Sequence, residues 1–167
     1  VKLDVKKDME FPFLPRFGLR LFLDQSLARV RYCGMGPDES YPDKHQASWH
    51  GIFEGDVRAM HRPYLKPQEY GSHWDCSWCE LSGEEMSFQA SSKEGFMFQA
   101  CEYTQEELSE KAHDFELKEA GCTVLCLDHN QSGIGSGSCG PQLLEKYQFN
   151  EPEFSRTWVI TPGKRKE

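Results

Sequence analysis

No run of apolar residues in this chain approaches the ~18 needed for a helical membrane span, so no membrane partner is expected. The opening stretch, VKLDVKKDMEFPF, lacks the basic, then apolar, then small-residue order of a signal peptide. It also lacks an initiator Met, and we expect an excised or processed piece of a longer chain. Positive charge is scarce as well: 27 acidic residues against 19 basic ones leave a net charge of −8. Such a surface has little to neutralise a row of phosphates, and no nucleic-acid partner is expected. The one basic cluster, GKRKE at residues 163–167, reads as a solvated tail. Internal repeats and low-complexity segments are missing. So is a disulfide framework, because the seven cysteines are odd in number and irregularly spaced. That usage fits free thiols in a reducing compartment, and the cytoplasm is expected.

What remains has the composition of a globular domain in 167 residues, 38% hydrophobic, with aromatics at 13% on the rich side. Abundant aromatics in short alternating runs favour strands. Residues 16–32, RFGLRLFLDQSLARVRY, read as two strands broken at DQS. GMGPDESYPD then reads as a loop, and residues 43–72 as irregular. Further strands are expected at 73–82, 84–91 and 96–103. Thr104 followed by Glu107 forms a T-x-x-E capping box, which predicts a short helix near 105–113. FELKEAGCTVLCLDH suggests a hairpin turning at Ala120–Gly121, and PQLLEKYQF with FSRTWVIT a last strand pair. The expectation is an all-β, mainly antiparallel sandwich or supersandwich with one short helix. Residues 1–15 would be a linker or N-terminal edge segment, 16–162 the domain, and 163–167 the tail.

Four constellations invite a chemical reading. DHNQSGIGSGSCGP, residues 128–141, spaces its glycines as G-x-G-x-G with no following Lys, and Gly140–Pro141 would break a helix. A phosphate cradle is therefore disfavoured. Cys139 in the same loop has His129 ten residues upstream but no Asn or Asp to orient it. A small residue in a turn is the simpler reading than a nucleophile. Cys76-x-x-Cys79, with His73 before it and Cys122-x-x-x-Cys126 beyond, has the raw material of a zinc site. Yet three-residue spacing on a strand points Cys76 and Cys79 to opposite faces, which favours buried thiols. The adjacent acids Glu84–Glu85 and Glu106–Glu107 cannot converge on one glycosidic bond. Asp38 and Glu39 are read as turn-stabilising acceptors. No catalytic residue and no metal ligand is assigned.

Taken together, PRFGLRLFL, YCGMGPDESYPDK, RPYLKPQEYGSHWDCSWCEL, FQACEYTQEELSEKAHDFEL and LDHNQSGIGSGSCGP resemble, in order, bacterial β-galactosidases of the lac type, glycoside hydrolase family two. The similarity covers nearly the whole chain and matches the latter part of the C-terminal, small-chain domain. The resemblance implies a large antiparallel sandwich and two catalytic glutamates outside this chain, in a (β/α)₈ barrel. The implied reaction is retaining hydrolysis of terminal β-galactosides such as lactose. It implies Mg²⁺ and Na⁺ on the barrel side and no cofactor in this piece. The implied partners are the barrel domain, on the same or a separate polypeptide, the galactoside substrate, and further copies in a homo-oligomer. By the same resemblance Gly135, Ser136, Gly137, Ser138 and Cys139 would line the aglycone side of the substrate. Family members carry a Trp after a Ser where this chain has Cys139 after Ser138, and the loop of this chain is about one residue shorter than theirs. An indole face there adds roughly 0.5–1.5 kcal/mol of stacking that a thiol lacks. An independent carbohydrate-binding module remains an alternative if Trp49, Trp74, Trp78 or Trp158 forms an exposed platform. A zinc-stabilised interaction domain is a third.

Overall fold

A bent two-stranded ribbon organises the molecule, whose computed structural model describes residues 1–135 and 140–164. The ribbon is β5 (Ser72–Ser82) against β6 (Met86–Cys101), antiparallel, closed by a turn in which Gly83 N–H donates to Met86 O at 2.9 Å. Its register shifts on either side of Cys76, where Asp75 takes a positive φ of 53°. Extra residues in one strand bend a ribbon and raise its twist. The bend has consequences for β6, which changes partners along its outer edge. Met86–Ser91 pairs with β9 (Val159–Lys164), whereas Met97–Cys101 pairs with β7 (Thr123–Gln131).

Around the ribbon the strand order is β2-β7-β6-β5-β3-β4, with β9 beside β6. Here β2 is Arg16–Leu23, β3 is Arg29–Gly36 and β4 is Trp49–Asp56. A separate pair joins β1 (Lys2–Lys6) to β8 (Glu153–Thr157). Every pairing is antiparallel, and the fold is all-β and sandwich-like. Burial follows the strand period of two in β3, where Val30, Tyr32, Gly34 and Gly36 point inward. In β7 the whole TVLCLD run is buried, as expected of a strand covered on both faces. Tyr32, which pairs laterally with Cys79, also packs edge-on against Phe98 with centroids 5.0 Å apart. Trp158, Leu81, Leu125 and Leu127 complete a single core. Among the described residues no helix is long and apolar enough to cross a membrane.

The short helix forms where the capping signal puts it, as α2 (Gln105–Glu110), following a single-turn α1 (Val57–Met60). Thr104 Oγ1 accepts from Glu107 N–H at 3.1 Å. The reciprocal half of the capping box is not made. Glu107 instead accepts from Lys118 N–H at 2.9 Å and ties the helix to the following segment.

Several local expectations are corrected. Residues 43–72 are not wholly irregular, since they hold β4 and α1. The strands expected at 84–91 and 96–103 are one continuous strand, because Gly95 at φ 71° carries the chain through the bend. The hairpin at Ala120–Gly121 does not form. Residues 114–116 make a 3₁₀ turn, Ala120 N–H reaches Glu102 O at 2.8 Å, and β7 finds its partners in β2 and β6. PQLLEKYQF contributes a 3₁₀ turn at Glu145–Tyr147 and one bridge, Leu14 with Phe149, while FSRTWVIT is split into β8 and β9 at Trp158. Cys76 and Cys79 do not face opposite ways: the bulge between them buries both side chains completely.

Candidate functional site

The sequence blocks singled out above converge on one end of the sandwich, around the start of the glycine loop. Arg16 opens β2, and the β2–β7 register shifts between Phe17 and Gly18, which brings the guanidinium onto the Asp128 carboxylate. Arg16 Nη2 lies 2.5 Å from Asp128 Oδ2, and Arg16 Nη1 pairs with Glu69. Gln131 Nε2 donates to the same Asp128 oxygen at 2.7 Å and to Ser72 Oγ at 3.1 Å. Burial pushes the Asp128 carboxyl above its ordinary range, and Arg16 and Gln131 pull it back only in part. Burial also works against the Arg16 charge, but Asp128 leads a set of neighbours that more than restores it. The pair is a buried ionic strut between the first strand and the loop's base.

A second strut is Glu39, whose side chain is 5% exposed. Its carboxylate accepts from Lys44 Nζ at 2.6 Å, Tyr64 OH at 2.5 Å, Gly71 N–H at 2.9 Å and Tyr41 OH at 3.3 Å. Burial alone would raise its pKa, but Lys44, Tyr64 and the Gly71 amide outweigh it and hold the carboxyl below its usual range. Asp38 pairs with Arg62. Both acids therefore act as acceptors, Glu39 both for the adjoining turn through Tyr41 and Lys44 and for distant segments through Tyr64 and Gly71.

Glu39 also fixes the turn that follows. Tyr41 and Lys44 exchange backbone hydrogen bonds of 2.9 and 3.1 Å, closing a turn with Pro42 at its second position, the favoured place for proline. Asp43 projects from this turn to the glycine loop. Its Oδ1 accepts from Ile134 N–H at 3.0 Å and its Oδ2 from Gly135 N–H at 2.8 Å. Just before these, Ser132 Oγ donates to Leu14 O at 2.6 Å and accepts from Phe149 N–H, while Gly133 N–H donates to Tyr147 O at 2.9 Å. A side chain at Gly133 would put its Cβ 2.5–2.8 Å from the Asp43 carboxylate, so only glycine lets the loop lie on that acid.

Beside the loop's base is a cleft of about 560 Å³, lined by Arg16, Lys44, Tyr64, Glu69, Gln131 and Ile134 among others. Its charged groups are mutually engaged: Arg16 with Asp128 and Glu69, Lys44 with Glu39. The arrangement can hold a loop in place; it presents no pair of carboxylates across an open site. Of the five residues expected to line a substrate, Gly135 is placed here. Ser136, Gly137, Ser138 and Cys139 lie outside the described residues.

The other candidates resolve into packing. Among the described residues no three His, Cys, Asp or Glu side chains converge as a metal-ligand set. Burial pushes the Cys76 and Cys79 thiols well up, Cys126 to about 12 and Cys101 to about 11, so these sulfurs stay protonated. His129, the suggested base for Cys139, accepts from Arg156 Nε at 2.7 Å and stacks on Phe154 with centroids 4.3 Å apart. Of the indoles, Trp158 is fully buried, Trp74 packs on His45 and Trp78 lies beneath Arg31; only Trp49 is largely exposed. Asp43, Arg16 and Asp128 were not singled out by residue chemistry. Their signal lay in the blocks PRFG, SYPDK and LDHN, taken together, because Arg16 reaches Asp128 and Asp43 reaches Ile134 and Gly135 only through the fold.

Comparison with known proteins agrees with this convergence. A family model described as "Beta galactosidase small chain" matches residues 1–160. A protein named Beta-galactosidase from Actinobacillus pleuropneumoniae is 45% identical over 154 residues, covering 92% of this chain and 15% of that protein. One of the same name from Staphylococcus xylosus is 39% identical over 157 residues, covering 93% and 16%. Another, from Kluyveromyces lactis, is 33% identical over 149 residues, covering 86% and 14%. The chain thus spans about 15% of the length of these curated relatives.

Proposed function

The chain belongs to the β-galactosidase small-chain family, and from that premise we propose that it is a non-catalytic domain of a retaining β-galactosidase. The complete enzyme would remove terminal non-reducing β-D-galactose from galactosides such as lactose. On this reading the nucleophile, the acid/base carboxyl and the Mg²⁺ and Na⁺ sites belong to the portion of the enzyme outside this chain. The small share of its relatives' length supports that division. So does the engagement of the domain's convergent carboxylates Glu39, Asp43 and Asp128 in holding the fold. The expected cytoplasmic location and homo-oligomeric assembly belong to the same proposal, and the unpaired cysteines of the described residues support a reducing compartment.

The observation that carries the reading is the loop's footing. Gly133 to Gly135 are bonded down by Tyr147 and Asp43, next to an ionic strut, at the head of a small-residue segment. A loop anchored at its base and rich in glycine and serine beyond it suits contact with a ligand held by another domain. We assign Gly135, Ser136, Gly137, Ser138 and Cys139 to the aglycone side of the galactoside. Cys139 makes that wall poor in stacking surface, so sugar leaving groups and acceptors are retained weakly.

Replacing Cys139 with Trp in the complete enzyme tests this. The expected outcome is a lower KM for lactose and more transfer of galactose to glucose relative to water. An unchanged KM and an unchanged transfer ratio count against the assignment.

A further inference from the structure

We propose that Asp43 is the positioning residue through which this domain sets leaving-group selectivity, a role that rests on the loop reading above. Its carboxylate binds the last two described amides before residues 136–139, at 3.0 and 2.8 Å. Upstream, each residue has another tether: Ser132 has Pro15, Leu14 and Phe149, and Gly133 has Tyr147. For Ile134 and Gly135 the hydrogen bonds of the described residues come from Asp43 alone. Among the described residues the clamp therefore holds the two positions that directly precede the segment proposed to meet the substrate.

Two features show that the acid is built into this place. First, it is half-buried and sits in a turn held from below: Pro42 sets the turn, Tyr41 and Lys44 close it, and Lys44 is bound by the buried Glu39. His45 Nδ1 lies 2.9 Å from Tyr41 O and braces the same turn. Second, the loop is shaped to the acid. Gly133 leaves room that any Cβ would fill, and a Cβ on Gly135 would stand 3.0 Å from Asp43 Oδ2. Two backbone N–H groups on the two oxygens of one carboxylate are charge-assisted bonds, stronger than neutral ones, and they fix direction as well as distance. A neutral amide at the same position keeps one acceptor and turns a donor toward the other N–H. Asn should then loosen one bond while preserving shape, and Ala should release both.

The test uses the complete galactosidase with Asp43→Asn and Asp43→Ala. Two readouts are taken: hydrogen exchange in the peptide containing Ile134 and Gly135, and kinetics on lactose against galactosyl azide, whose leaving group carries no sugar. The expected result is faster exchange in both variants, greater for Ala. Alongside it, KM for lactose should rise about three- to tenfold while kcat and KM for galactosyl azide hold within about twofold. A general loss of fold would instead lower activity on both substrates together, and that outcome overturns the proposal. Unchanged exchange in both variants overturns it too, while leaving the loop's contact with the aglycone standing. Faster exchange with unchanged selectivity between the two substrates shows a real clamp on a loop that does not meet the leaving group. That last result overturns the reading on which the inference rests.

Discussion

His73 shows how one buried side chain makes stability depend on pH. It is the second residue of β5 and stacks on Phe98 with centroids 5.2 Å apart, with Tyr32 on another side at 4.5 Å. Its Nδ1 lies 3.3 Å from Met35 O, a geometry in which the ring donates to the carbonyl. Burial dominates and lowers its pKa to about 4; Met35 opposes, Arg62 adds to the depression, and Glu39 and Asp38 oppose weakly. The unfolded chain binds a proton near pH 6.5, and the folded one resists until pH 4. Stability is therefore lost as pH falls from 6.5 towards 4, and the loss levels off below that. A depression of this size corresponds to about 3 kcal/mol. Urea unfolding of the chain and of His73→Gln at pH 7, 5.5 and 4 checks it. The variant should lose about 3 kcal/mol less over the range, and parallel curves for the two proteins would rule out His73 as the cause. His129, also lowered by burial and by Arg156, acts in the same direction in both proteins and does not confuse the comparison.

At the scale of elements, the join between β2 and β7 carries both the fold and the ionic strut. Gly18 lies just past the register shift, and a Cβ there would drive into the Leu127 carbonyl and the Asp128 backbone well inside van der Waals contact. Neither group can move without parting the strands. Gly18→Ala should cost about 3 kcal/mol, the upper end for overpacking, and lower the Tm by roughly 6–12 °C for a chain of this size. Gly55→Ala on β4 is the control, because a Cβ there meets nothing within 4 Å. Thermal denaturation of the two variants should separate them widely, and equal Tm values would show that the close approach does not govern the join. The same elements show what was legible in the sequence. Alternation in RFGLRLFL and a capping threonine located β2 and α2 because those signals are local. β4 escaped because WHGIFEGD is an edge strand with Trp49 and Ile52 exposed, which breaks the inside-outside pattern that betrays a strand. The expected hairpin at Gly121 failed since a positive-φ glycine marks a turn without naming the strand's partner. In the candidate site Glu39 was visible, but its partners Tyr64 and Gly71 lie 25 and 32 residues away, and Asp128 lies 112 from Arg16; no spacing rule reaches so far. Only the ordered set of blocks, read as a family resemblance, tied them together.

On the scale of the whole molecule, the question is whether this domain recognises sugar by itself or only as one wall of a larger site. A free-standing carbohydrate-binding module needs an aromatic face backed by unsatisfied donors and acceptors. Here Trp74 and Trp78 are covered by His45 and Arg31, Trp158 is in the core, and Trp49 leans edge-on against Phe53 at the far edge strand. The cleft beside the glycine loop has the volume for a sugar, but its charged side chains bond one another. A ligand would have to break charge-assisted bonds to enter them, and each is worth more than the neutral hydrogen bond a hydroxyl returns. The purified chain should therefore show no saturable binding of galactose or lactose by calorimetry at millimolar sugar, and no hydrolysis of an aryl galactoside. The same preparation supplied with the remainder of the enzyme should hydrolyse it. Saturable binding by the chain alone would revive the module; hydrolysis by the chain alone would require a carboxylate pair that the engaged acids around Asp43 do not provide. On the proposed function the domain's contribution is conditional: Asp43 holds Ile134 and Gly135, and the segment after them would acquire a ligand only when another part of the enzyme brings one.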